Sequence, residues 1–204
     1  MYVVCIDGGI FDSNVYIVRS GNECIIVDAG VDADDVVSHI DSDVAVKYIV
    51  LTHGHADHIA SVVQIKQITG ALVVAHREEE ELLKNSHYNC SDEICQRSIV
   101  ISPDILVDEG DSIDFGDTTL KFIHTPGHTR GSMCIECENN LFTGDTLFCR
   151  AVGRTDLPTG DGISLAKSVD KLRILKEDCI VYPGHGVATT IGEEKKYNPW
   201  MSFR

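Results

Sequence analysis

Four runs in this chain end in the same way. "YIVLTHGHADH", "LKFIHTPGHT", "NLFTGD" and "CIVYPGH" each carry an apolar or mixed stretch of strand character into a glycine and then a histidine or aspartate. In α/β architectures functional groups collect at the carboxyl ends of strands, where a rigid scaffold presents loop residues to one open rim. Four strands that deposit metal-type side chains at one kind of position predict one shared site, and a fold that gathers those four ends.

The rest of the chain has the mixture such a fold needs. Short runs rich in Val and Ile ("YVVCI", "NVYIV", "CIIV", "ALVV", "MCIE"), with Gly and Asp between many of them, read as strands. Periodicity predicts helices through Val36, Val37 and Ile40, from Asp57 to a stop at Gly70, across "REEEELLK", and from just after Ser164 through Leu165, Val169 and Leu172. The class is α/β. No Gly/Ser- or Pro-rich linker and no repeat divides the chain, so a single domain over 1–204 is expected. Residues 85–104 carry the weakest pattern and read as a loop or a short helix over the site.

The formal charge of −15 would repel a phosphate backbone and an anionic membrane surface alike, which argues against both as partners. The first twenty residues lack the basic start and apolar segment of a signal peptide, and no later run approaches spanning length, so a cytoplasmic location is expected. There the eight cysteines stay as thiols. Cys134 and Cys137 form a CxxC, but on a strand positions three apart face opposite sides, and the sulfurs diverge.

The densest cluster is "HGHADH". His53 and His55 are two apart in an extended segment, point to one side, and are placed to share one ion. Asp57 and His58 open the following helix, which turns them toward a neighbouring ion. His128, Asp145 and His185 arrive from the other strand ends. Seven N/O ligands exceed one tetrahedral zinc and fit two ions, each with three terminal ligands, around one shared carboxylate. His39, His76 and His87 read as ordinary surface or partly buried residues. His124, four residues before His128, is a candidate to support a ligand from behind.

These residues resemble the metallo-β-lactamase fold superfamily, whose mark HxHxDH at a strand-to-helix turn reads "HGHADH" here. "IIVDAG" is similar to the family's early strand ending in a structural aspartate, here Asp28; "HTPGHTRGS", "FTGDTLF" and "YPGHG" carry His128, Asp145 and His185. The resemblance implies a four-layer αββα sandwich, two mixed sheets with helices outside. It implies one ion on His53, His55 and His128, a second on Asp57, His58 and His185, and Asp145 between them. The ions are expected to be zinc, with iron or manganese also suited to such ligands.

Within the superfamily, "GDTLF", "GRTDLPTG" and "PGHGVATTIGEEKKYNP" look most like glyoxalase II (hydroxyacylglutathione hydrolase) and its short relatives. β-Lactamases proper look less similar, since their best-known class has a cysteine where Asp145 stands. Glyoxalase II carries a helical C-terminal glutathione-binding domain for which this chain leaves no room. It places a basic residue and then a tyrosine after GDTLF, and another tyrosine after the last metal histidine. Arg154 matches the basic residue, while Asp156 and Val187 stand where the tyrosines would.

The implied activity is hydrolysis of a small ester or thioester. Two ions lower the pKa of a bridging water to about 7, and the resulting hydroxide, oriented by Asp57, attacks the carbonyl. Arg154 is expected either to pair with a carboxylate on the substrate or to form an ion pair with Asp156. Persulfide dioxygenases, which use one iron, resemble the same motifs and are the main rival; a non-catalytic di-metal protein is a third reading.

Overall fold

A computed structural model of the chain describes residues 1–202. The Val/Ile runs form strands: β1 (Tyr2–Ile6), β2 (Val15–Ser20), β3 (Glu23–Val27), β4 (Ala45–Val50), β5 (Leu72–His76) and β6 (Ile105–Val107). They make one six-stranded sheet in that order, antiparallel from β1 to β3 and parallel from β3 to β6.

The second half supplies β7 (Ser112–Phe115), β8 (Thr118–His124), β9 (Met133–Cys137), β10 (Asn140–Gly144), a two-strand ribbon of β11 (Leu147–Phe148) and β12 (Ala151–Val152), β13 (Ile180–Pro183) and β14 (Thr189–Thr190). A second six-stranded mixed sheet runs β14-β13-β10-β9-β8-β7, with only the β10–β13 pair parallel.

Alternation along each strand puts one set of side chains between the sheets and the other under helices, which is why the strands read as continuous apolar runs. Tyr16, Val18, Ile25 and Val27 of the first sheet meet Phe115, Leu120, Phe122, Met133, Ile135 and Phe142 of the second. On the outer face of the first sheet Ile17, Ile26 and Ile49 pack under Val36 of α1 (Ala33–Ser38) and, beyond the four-residue α2 (Ala56–Ile59), Val62 and Ile65 of α3 (Val62–Thr69). Two short helices follow, α4 (Glu80–Leu83) and α5 (Ser91–Ile94). On the outer face of the second sheet Cys134, Leu141 and Val181 pack under α6 (Gly162–Leu172), α7 (Ile191–Tyr197) and α8 (Pro199–Ser202). The layers are αββα, as expected.

Two predicted helices differ in detail. The one expected from Asp57 to Gly70 breaks after Ile59, because Ala29 ties the chain on both sides of the break: its N–H donates to His58 O at 2.7 Å and its carbonyl accepts from Ser61 N at 2.9 Å. Gly70 does end α3, in the left-handed region that favours glycine. The helix expected after Ser164 starts earlier, at Gly162, because the Asp161 carboxylate accepts from the N–H groups of Ile163 and Ser164.

Residues 85–104 are mostly loop around the single turn α5. Cys134 and Cys137 lie on opposite faces of β9, one in the outer and one in the inner core. Among the described residues no helix is long and apolar enough to cross a membrane.

Candidate metal centre

The four strand ends do converge. β4 leads into His53 and His55, and the α2 turn presents Asp57 and His58; the loop after β8 carries His128, the one after β10 carries Asp145, and the one after β13 carries His185. Three groups of potential ligand atoms form, each within 4.8 Å: His53, His55 and His128; Asp57, His58 and His185; and His53, His58 and Asp145 between them. The structure thus brings all seven candidate residues together, with Asp145 beside His53 and His58. His53, His55, His58 and His128 are buried, and His185 is the most open of the five histidines.

The hydrogen-bond partners fix what the histidines present to one another. His58 Nδ1 lies 2.8 Å from Asp28 Oδ2, His128 Nδ1 2.8 Å from Arg154 O, and His185 Nδ1 3.1 Å from Phe11 O. Thr52 spends its hydroxyl proton on Asp28 Oδ2, so its oxygen accepts from His53 Nδ1 at 3.2 Å. Each of these four rings therefore donates through Nδ1 and directs Nε2 inward, an orientation assigned from its partners. Inward they meet other ring nitrogens and carboxylates. His53 Nε2 and His128 Nε2 are 3.2 Å apart; His55 Nδ1 is 2.8 Å from His128 Nε2; His58 Nε2 and His185 Nε2 are 3.3 Å apart.

Carboxylates crowd the same space. Asp57 Oδ2 is 3.2 Å from His185 Nε2, and Asp145 lies 3.4–3.6 Å from His58, His128 and His185. Asp145 Oδ1 and His55 Nε2 are buried with no hydrogen-bond partner. Possible ligand atoms gathered within 4.8 Å, two of them buried without a hydrogen-bond partner, make a donor set that fits two metal ions held by N and O ligands. Gly184 makes room for this, since a Cβ there would stand 2.3 Å from Asp145 Oδ1.

Charge within the cluster follows from burial and proximity. Burial pushes His53 well below the ordinary imidazole value, helped by the neighbouring His58, and takes His55 down to about 3, helped by His128. Burial also works against a charge on His58, but Asp57, Asp28 and Asp145 outweigh it and raise this ring well above the ordinary value. For Asp57 and Asp145 burial is again opposed, chiefly by His58, and both carboxyls stay below their usual range.

A supporting shell went unread in the sequence. Asp28, expected only as a structural position, accepts from Thr52 N, Thr52 Oγ1 and His58 Nδ1 and so orients two ligands. Glu79, 1 % exposed, accepts from Gly54 N at 2.8 Å through one oxygen, and from Gly131 N at 2.8 Å and Thr129 Oγ1 at 2.9 Å through the other. It thus ties the His53–His55 loop to the His128 loop. Its signal was hidden in "REEEELLK": Leu82 and Leu83, three and four positions on, are buried with it.

Asn14 donates to the carbonyls of Pro183 and Gly186, on both sides of His185, and Ser13 Oγ donates to Asp57 O at 2.8 Å. His124 does not support His128; its ring stacks on His76 at 3.9 Å and its Nε2 meets Arg130 O. His76 is buried more deeply than expected, while His39 and His87 are exposed.

A cavity of about 440 Å³ opens over the centre. Its walls beyond the ligands are Phe11, Cys90, Glu93, Ile94, Arg154 and Leu157, so the 85–104 segment does lie over the site. Arg154 lines the mouth and holds Asp156 through two bonds of 2.6 and 2.7 Å.

A helix-clad double sheet with an N/O ligand cluster at one rim defines a class of metal-site proteins. The family model described as the metallo-beta-lactamase superfamily matches residues 8–185, and the chain belongs to that superfamily. It is 35% identical to the hydroxyacylglutathione hydrolase GloC of Haemophilus influenzae, over 88% of this chain and 87% of that one. The crystal structure of the B3 metallo-beta-lactamase BLEG-1 superposes with a TM-score of 0.92 at 33% identity, covering 99% of this chain and 100% of that one. The lower likeness expected for β-lactamases does not extend to this member. TTHA1623, solved in a di-iron-bound form, superposes with a TM-score of 0.85 at 27% identity, over 97% and 99% of the two chains.

Proposed function

We propose that this chain is a binuclear metal-dependent hydrolase that cleaves a small ester or thioester. The observation that carries the reading is the convergence of possible ligand atoms from four strand ends beneath an open cavity. His53, His55 and His128 would hold one ion, Asp57, His58 and His185 the other, and Asp145 would lie between them. Two bound divalent ions supply Lewis-acid polarisation of a carbonyl and a water of lowered pKa. Imidazole and carboxylate suit zinc, our first choice, and iron equally; the di-iron TTHA1623 supports the latter.

The residues do the rest. Asp57 lines the cavity, stays unprotonated at neutral pH, and orients the attacking water by accepting its hydrogen bond. Asp28 and Glu79 keep the ligands aimed without touching the substrate. Arg154 meets the part of the substrate that lies at the mouth.

Metal content per chain, measured together with thioester hydrolysis and with oxygen uptake on glutathione persulfide, tests the reading. Two ions with thioesterase activity and no oxygen uptake are expected; one iron with oxygen uptake sinks it. BLEG-1 favours a second reading, hydrolysis of the β-lactam amide at the same centre, which turnover of a chromogenic β-lactam would reveal.

A further inference from the structure

We propose that Phe11 sets the substrate class: the cavity takes esters and thioesters whose non-reacting arm is uncharged and apolar, laid on the Phe11 ring. The inference rests on the hydrolase reading and deepens it. Phe11 adopts φ 57° and ψ 29°, and Asp12 follows at φ 58°. Left-handed backbone suits glycine, asparagine and aspartate, and is an unfavourable place for a bulky aromatic side chain.

The fold holds Phe11 there from both sides. Asp12 N and Ser13 N donate back to Gly9 O and Ile10 O, Ser13 is bonded to Asp57 O, and the Phe11 carbonyl accepts from His185 Nδ1. None of those bonds uses the Phe11 side chain. The ring adds nothing to the core, for it is 68% exposed, yet it forms a wall of the cavity beside the centre. An aromatic group kept on strained backbone, outside the core and in the wall of the cavity that the candidate ligands also line, is placed to contact a ligand.

Its companions in the wall have the same character. Ile94 and Leu157 are apolar, and the Cys90 thiol is mostly buried and uncharged. The charged groups at the mouth do not form an anion clamp. Arg154 commits two guanidinium nitrogens to Asp156, and Glu93 adds a carboxylate to the wall. At the mouth an anionic arm, such as that of a glutathione thioester, meets Glu93 and an Arg154 already paired with Asp156, whereas an alkyl or aryl arm meets apolar surface.

The test uses the metal-loaded protein and three thioesters of one acyl group, with S-methyl, S-benzyl and glutathione arms. The wild type is expected to show a KM about tenfold lower for S-benzyl than for S-methyl, equal to about 1.4 kcal/mol, and a higher kcat/KM for S-benzyl than for the glutathione thioester. Phe11→Asn keeps a residue at ease in the left-handed region. It should raise KM for S-benzyl about tenfold and KM for S-methyl far less, the change falling on KM rather than kcat, with metal content per chain retained.

A preference for the glutathione thioester overturns the proposal, as does a variant that affects both uncharged arms alike or loses metal. Should the wild type cleave none of the three, the hydrolase reading falls separately. Calorimetric titration of a non-cleavable benzyl thioether then decides about Phe11: binding lost in Phe11→Asn supports its role, and absent or unchanged binding overturns it.

Discussion

Glu79 concentrates much of the centre's support in one buried carboxylate. Burial pushes it up to about 7, against the pull of Gly54 N, Thr129 Oγ1 and Gly131 N, all of which favour the charged form. Its folded pKa is thus raised above the unfolded value. Below about pH 4 both states are protonated; as pH rises toward 7 the unfolded chain releases its proton first, and stability falls. The loss is on the order of 3 kcal/mol across that window. Urea titrations from pH 4 to 7.5 should show this decline, and Glu79→Gln should remove it. The variant has its own cost, because a carboxamide presents one oxygen and one NH₂ to donors on both sides and leaves a buried donor unpaired, at about 1–3 kcal/mol. A variant with an undiminished pH slope would place the titration elsewhere.

The elements divide into those whose pattern is local and those shaped by distant contacts. The Val/Ile runs and the His/Asp strand ends were legible because strand alternation and ligand chemistry are written in neighbouring residues. The break after Ile59 was not, since it depends on Ala29, thirty residues earlier in the chain. Nor was Asn14, whose two carbonyl partners lie about 170 positions away and whose own surroundings, at the head of "NVYIV", show only a strand start. The seven candidate ligands were readable as a set; the Nδ1 acceptors that aim them, Asp28, Thr52 Oγ1, Phe11 O and Arg154 O, were not, because two of the four are backbone atoms and the other two are brought to the rings by the fold.

Asn14 yields the prediction at this scale. β13 delivers His185 on a loop flanked by Gly184 and Gly186, and Asn14 clasps that loop at Pro183 O and Gly186 O while its own N–H holds Gly184 O at 2.8 Å. Asn14→Ala keeps the N–H and removes the clasp. Metal analysis after dialysis should fall from two equivalents toward one, with His53, His55 and His128 retaining theirs. Full retention of both ions in the variant would show that the clasp does not position His185.

For the whole molecule, the centre is where folding and metal uptake become one equilibrium. Possible ligand atoms from four loops gather across the gap between the two sheets' ends, so cations that bind only the folded state tie those ends together. Free metal at about 1,000 times Kd contributes about 4 kcal/mol per site. For a chain of this size that raises Tm by roughly 8–16 °C, and a chelator should reverse it.

The gain should also depend on pH with a definite sign. His58, opposed by burial but raised by Asp57, Asp28 and Asp145, and His185, opposed by burial but raised chiefly by its bond to Asp57, both hold protons more tightly when folded than unfolded. In the metal-free protein that stabilisation is fully present below about pH 6.5 and is lost as pH rises through the higher folded values. Metal must displace the same protons, so loading releases them, and acid weakens loading while it strengthens the metal-free fold. The difference in Tm between loaded and stripped protein should therefore shrink from pH 8 to pH 6, and calorimetry in buffers of different ionisation enthalpy should detect the released protons. A Tm difference independent of pH, with no proton release, would mean that the two rings are already neutral when metal arrives.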